Sequence, residues 1–225
     1  MRPITAVLVL CILSAVHAQP YRMGCRILHE PYRPGPELSP LQRTQIDQTI
    51  ARSDTFDILH YDIRLDVTRV QDQWIGGVCA VSFAPRLAGQ NSIRFDLYDL
   101  TVDSVTSALG VHPYSYDGEF LTVDMLSVPT VGEQRTLTVH YQGTPHRDPD
   151  WGGFYFESGY IYNLGIGIST IPPNFGKVWY PCFDSFVERA TYTYHVKSAG
   201  TYRLRGQGDF LGEVQLGGDT VVRSY

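Results

Sequence analysis

From Phe56 onward apolar and polar residues alternate along the chain. Tyr61, Ile63, Leu65 and Val67 interleave with Asp62, Arg64, Asp66 and Thr68, the period of a strand with one buried and one wet face. Cys79, Val81 and Phe83 repeat the pattern, as do Ile93, Phe95 and Leu97, then Leu121, Val123 and Met125, then Leu137, Val139 and Tyr141. In a later run Ala190, Tyr192, Tyr194 and Val196 interleave with Thr191, Thr193, His195 and Lys197. Gly76-Gly77, Gly89-Gln90-Asn91, Asp117-Gly118, Gly132-Glu133 and Gly217-Gly218 punctuate the runs with residues that let a chain reverse. Short strands at this spacing predict an all-β domain over residues 51–225, an antiparallel β-sandwich or saddle-like double sheet. Tyr202 to Tyr225 reads as strand-rich with no closing turn, so the chain is expected to end inside a strand.

Two segments depart from alternation. Residues 143–176 are rich in glycine and aromatics, including Trp151, Phe154, Tyr155, Phe156, Tyr160 and Tyr162. Trp179-Tyr180-Pro181-Cys182-Phe183-Asp184 sets a proline inside an apolar run, which calls for an edge, a bulge or a turn there.

Ahead of the β region the pattern is different. Met1-Arg2 is a short basic start, Ile4 to Val16 is apolar, and Ser14 to Ala18 supplies small residues. This is the pattern of a signal peptide over residues 1–18, cut after Ala18, and it predicts export to a periplasm or the outside. The run is too short for a stable bilayer anchor, and no second apolar segment follows, so no membrane span is expected. Residues 19–50 form a leader broken by Pro20, Pro31, Pro34, Pro36 and Pro40. A short helix from Ser39 or Pro40 to Ile50 is expected within it, with Ser39 as N-cap and Leu41, Ile46 and Ile50 as a weak apolar stripe.

Composition narrows the partners. A net charge of −5 and a pI near 5.8 argue against a nucleic-acid partner, which needs clustered Lys and Arg. Three cysteines remain after cleavage, Cys25, Cys79 and Cys182, and three thiols cannot all pair. Cys79 and Cys182 read as small buried hydrophobes.

Candidate chemistry is sparse. The sequence contains no H-E-x-x-H, no C-x-x-C and no G-x-S-x-G. His29-Glu30 lacks the second histidine, and His140 and His146 are separated by Gly143 and Pro145, so neither pair aims two imidazoles at one metal from a helix. Cys182 lies between Pro181 and Phe183, the setting of a packed strand and not of a nucleophile. Asp57, Asp62, Asp66, Asp148, Asp150, Glu157, Asp184 and Glu188 are numerous enough for paired-carboxylate chemistry, but solvated strand faces account for most of them. Asp184 is the exception, expected to be hydrogen-bonded locally. The aromatic segment 151–162 supports a second hypothesis, a free-standing secreted sandwich that binds peptide or glycan on exposed rings.

The elements Gly153-Phe154-Tyr155, Tyr180-Pro181-Cys182-Phe183-Asp184 and Ala190-Thr191-Tyr192-Thr193-Tyr194 together resemble the N-terminal domain of the aminopeptidase N family of zinc metallopeptidases. Tyr61 to Val67 and Phe95-Asp96-Leu97 with Leu100 to Val105 are also similar to strands of that domain, so the likeness covers roughly residues 55–225. The resemblance implies a saddle-like β domain that caps a helical catalytic domain bearing the zinc, the catalytic Glu and the substrate loop. It implies that this chain stops before that domain, holds no catalytic residue or zinc ligand of its own, and meets a peptide substrate only when joined to it. The family places a Gln or Glu for the substrate's free amine about a dozen positions before the motif Asp. Pro172 occupies that position here, and Asn174, two residues on, is the neutral and shorter substitute. An incomplete sheet is also expected to leave an exposed edge open to self-association.

Overall fold

The computed structural model describes residues 37–225. The expected signal peptide, most of the proline-rich leader and Cys25 lie outside the described residues.

A helix, α1 (Pro40–Thr55), begins where the sequence places it. Ser39 Oγ accepts the Gln42 N–H at 3.2 Å while the Gln42 side chain accepts the Ser39 N–H at 2.9 Å, a reciprocal capping box with proline at the first helical position. The helix runs past the expected end at Ile50 because residues 51–55 contain no glycine or proline to stop it. Arg52 fixes this last turn: its Nη2 meets Asp96 Oδ2 at 2.6 Å and its Nη1 donates to the Arg94 carbonyl at 3.1 Å.

Thirteen strands follow: β1 (Phe56–Asp66), β2 (Ile75–Pro85), β3 (Ser92–Asp96), β4 (Thr101–Ser107), β5 (Gly110–Val111), β6 (Tyr114–Tyr116), β7 (Phe120–Asp124), β8 (Arg135–Gly143), β9 (Gly152–Glu157), β10 (Tyr160–Gly167), β11 (Thr191–Ala199), β12 (Gly212–Gly217) and β13 (Thr220–Ser224). Eight of them form one sheet in the order β12-β13-β11-β1-β2-β8-β4-β5, with β3-β7-β6 as a second sheet and the β9-β10 hairpin as a third. The expected all-β, sandwich-like architecture is present. One pairing corrects the expected antiparallel pattern: β1 and β11 run parallel, His60 opposite Thr191 through Asp66 opposite Lys197. Alternation is the same in either orientation, and β11 reaches β1 after a long excursion that no hairpin constrains.

The buried faces of both larger sheets meet in one core. Ile63, Cys79, Val81, Phe83, Val139 and Tyr141 come from the large sheet, and Ile93, Phe95, Leu121 and Val123 from the small one. Gly77 is required by this packing, since a Cβ there would lie 2.0 Å from Tyr141 Cζ. Cys79 and Cys182 are both buried and free, and burial pushes each thiol's pKa up.

The C-terminal expectation also changes. Residues 202–211 lie in no strand, and Gly217 and Gly218, both at positive φ, turn the chain from β12 into β13. β13 is an interior strand between β11 and β12. Tyr225 donates its N–H to Tyr194 O at 3.0 Å and accepts the Tyr194 N–H at 2.8 Å. Among the described residues the open edge on this side belongs to β12, not to the last strand.

Candidate functional site

The aromatic and glycine-rich stretch that broke the alternation folds as β9, β10 and a returning loop. Gly152 and Gly153 both hold positive φ, and a Cβ on Gly152 would lie 1.9 Å from the Ile166 carbonyl oxygen. Only glycine lets the hairpin close on itself here. Asp148 then ties the hairpin's entry to the loop that follows it. Its carboxylate accepts from five donors: Asp150 N–H (3.0 Å), Trp151 N–H (3.0 Å), Ser169 N–H (3.1 Å), Ser169 Oγ (2.7 Å) and Thr170 Oγ1 (2.8 Å). Burial alone would raise its pKa, but these donors outweigh it and hold the carboxyl well below the usual carboxylate range.

The Tyr180–Asp184 element is a turn pinned on two sides. Cys182 exchanges both backbone hydrogen bonds with Asp96, at 2.8 and 3.0 Å, and the Phe183 N–H donates to Tyr61 Oη at 3.1 Å. The proline therefore stands beside a single isolated bridge, as a turn. The Asp184 N–H donates to Asp96 Oδ2 at 2.9 Å, and Asp184 Oδ2 accepts the Lys177 N–H at 3.2 Å, as expected of a locally bonded carboxylate. Burial and the nearby Asp96 carboxylate push the Asp184 pKa up to about 6 against the opposing pull of Lys177.

Between these two devices lies a groove of about 950 Å³. Its floor is β1 (Ile63, Leu65, Val67) and β11 (Tyr192, Tyr194, Val196, Ser198). One wall is the β9-β10 hairpin with Phe154, Ile161, Tyr162 and Asn163, and another is residues 202–207 with Tyr225. Asn174, Gly176, Asp184, Ser185 and Glu188 also line it. The rings stand as slats, Tyr192 and Tyr194 at 5.9 Å with planes 6° apart and Tyr61 at 5.2 Å from Tyr192. With its amide turned so that both neighbours are satisfied, Asn163 donates its nitrogen to Gly153 O and accepts from Trp179 Nε1, both at 3.1 Å, which ties the hairpin to Trp179.

Several sequence expectations meet here and others do not. Asn174 is buried, lines the groove and bridges Ile166 through its backbone, whereas Pro172, after a cis peptide bond, does not line it. Of the aromatic segment, Phe154 and Tyr155 are buried and Tyr162 is on the groove, while Trp151 and Tyr160 are exposed away from it. The apolar side of β11, expected to be core, is half open: Tyr192 is 41% exposed. Glu188 contributes a carboxylate oxygen that is buried without a partner, a feature no local pattern announced. Asp57 and Asp66 are engaged on strand faces by Arg86 and Lys197.

The residues present do not fit zinc. Among the described residues no group of three or more His, Cys, Asp or Glu could hold a metal ion. His112 uses both ring nitrogens on Asp124 O and Ser107 Oγ, and His60 and His195 are bonded to Thr191 and Ser224 hydroxyls. No helix among them is long and apolar enough to cross a membrane.

No protein-family model and no curated protein matches the sequence. Solved structures do. A point mutant of an M1 zinc metallopeptidase from Deinococcus radiodurans, bound to a Tyr-Ser-Ala substrate, aligns with TM-score 0.68 at 20% identity over 76% of this chain and 39% of its own. The M1 zinc metallopeptidase from the same organism aligns with TM-score 0.67 at 20% identity, over 76% of this chain and 38% of its own. The fold is that of an M1 zinc metallopeptidase over the matched span. A two-domain M1 zinc metallopeptidase mutant bound to L-arginine gives the same result, TM-score 0.68 at 20% identity. The chain thus spans well under half the length of the M1 structures it matches.

Proposed function

We propose that residues 51–225 form the non-catalytic N-terminal β domain of an exported zinc metalloaminopeptidase-like protein, a family that removes N-terminal residues from peptides. The observation that carries this reading is the M1 fold, shared over 76% of the chain but under two fifths of the two Deinococcus radiodurans structures. The Tyr180–Asp184 turn and the Gly153-Phe154-Tyr155 strand, on which the sequence resemblance rested, stand together at the groove. In this reading zinc, the hydrolytic residues and the peptide's scissile bond belong to a helical domain seated against the groove. Asn174 is then the group offered to a peptide's free amine. The basic and apolar N-terminus supports export.

The test is the purified chain itself. It is expected to carry no stoichiometric zinc and to show no chelator-sensitive hydrolysis of amino-acid anilides, because metal-assisted hydrolysis needs a bound ion to activate water. Stoichiometric zinc together with chelator-sensitive turnover refutes the reading.

The groove's rings favour one second reading, a secreted sandwich that binds peptide or glycan unaided. Saturable binding of an oligosaccharide or a short peptide by the chain alone, lost on Tyr192→Ala, distinguishes it.

A further inference from the structure

We infer that a cleft beside Trp74, on the face of the large sheet turned away from the groove, binds a neutral saccharide. The inference goes beyond the functional reading above and does not rest on it. Along β1, Ile63, Leu65 and Val67 floor the groove, so the alternate residues Arg64 and Asp66 point to the opposite face. Two cross-strand rows meet there. One runs Lys197, Asp66, Gly76, Gln142 and the next His195, Arg64, Val78, His140, over β11, β1, β2 and β8. They bound a cleft of about 510 Å³.

The cleft has a fixed aromatic wall. Trp74 ends a loop tied to itself, with the Gln73 N–H donating to Val70 O at 3.1 Å and the Trp74 N–H to Arg69 O at 3.3 Å. The tip of its indole takes the space over Gly76, where a Cβ would lie 2.8 Å from Trp74 Cη2. The Arg69 guanidinium covers the ring at 4.5 Å, and the ring lines the cleft with Val78. Glycine at position 76 is what admits the ring, and the loop holds it without a ligand.

The flanks are polar, and their charges are matched. Lys197 Nζ meets Asp66 Oδ2 at 2.8 Å, Arg64 Nε meets Asp62 Oδ1 at 3.5 Å, and Gln142 Nε2 donates to Asp103 Oδ1 at 2.8 Å. These pairs do not call for an ionic ligand, yet a carboxylate, an amide and the imidazole of His140 keep further sites for hydroxyl groups. The four strands beneath are interior to the sheet, so their backbone groups are taken up by neighbours and a peptide cannot add as a strand. Recognition is left to side chains: an indole against the C–H face of a sugar ring, and hydrogen bonds to its hydroxyls at the flanks.

Calorimetric titration of the full chain with cellotetraose, maltotetraose and chitotetraose tests this, with tryptophan fluorescence as a second readout. At least one of the three is expected to bind saturably and to shift the emission. Trp74→Ala and Gln142→Ala are each expected to weaken that binding by about tenfold or more, with circular dichroism unchanged, while the groove variant Tyr192→Ala binds as the wild type does. No saturable binding to any of the three overturns the inference. So does binding that survives both Trp74→Ala and Gln142→Ala, or binding lost only in Tyr192→Ala, which places the sugar in the groove.

Discussion

The backbone N–H of Asp184 donates to Oδ2 of Asp96 at 2.9 Å, and the same oxygen receives Arg52 Nη2 at 2.6 Å. One carboxylate oxygen thus joins the helix, the β3 edge and the Tyr180–Asp184 turn. The arrangement leaves Asp184 beside a second carboxylate whose cation is already committed.

The pH dependence of stability follows from that crowding. Asp184's folded pKa is raised to about 6, so its protonated form stabilises the fold. This contribution is fully present below the unfolded value of about 4 and is lost as pH rises through 6, on the order of 2–3 kcal/mol in all. Asp184→Asn should remove this falling limb and leave the variant the more stable protein at neutral pH. Denaturant melts across pH 4 to 7 measure it, and an unchanged limb in the variant would place its origin elsewhere.

Arg52 should matter to stability out of proportion to its place on a polar helix. Its side chain is 11% exposed and that of Asp96 7%, and removing one partner of a buried pair costs roughly 3–5 kcal/mol. Arg52→Met is expected to destabilise by about that much. The double variant with Asp96→Asn should recover part of the loss, because the stranded charge goes with it. Additive losses in that cycle would contradict a direct coupling.

What the sequence discloses is what is local. Ser39 and Gln42 announce their capping box three residues apart, and Tyr61 to Val67 announce a strand by alternation alone. The turn at Pro181 and the bonded state of Asp184 are likewise legible from their immediate neighbours. The groove is not legible, because it is built from non-local juxtapositions. β11 pairs with β1 in parallel across more than a hundred residues, and the same alternation that would bury Tyr192 in a closed sandwich leaves it facing a gap here. Glu188 stands in the sequence only as one carboxylate among many; that its Oε2 is buried without a partner is shown by the packing alone.

Asp148 acts in the opposite sense to Asp184. Its folded pKa is depressed by its five donors, so its contribution is present above about 4 and disappears as pH falls below that value. Asp148→Asn should lower the melting temperature at neutral pH and flatten the acid limb. Protease sensitivity should rise at residues 168–174, the loop its carboxylate holds. An unchanged melting temperature at neutral pH would contradict the role given to those hydrogen bonds.

Gly77 is a steric prediction. Because a Cβ there would meet the Tyr141 ring at 2.0 Å, the ring or the strand must shift, and Gly77→Ala should cost about 1–3 kcal/mol. Combining it with Tyr141→Leu should restore part of the stability. A neutral Gly77→Ala, read by thermal melting, would show that the ring is free to move.

The central claim is that this chain is the β domain of a protein whose zinc and hydrolytic residues lie in another domain. Sequencing the transcript beyond the Tyr225 codon tests it most directly. The account predicts an open frame that continues into an H-E-x-x-H with a distal Glu. A stop codon at that point, with no such segment encoded downstream, would contradict it and leave the groove as a binding site in its own right.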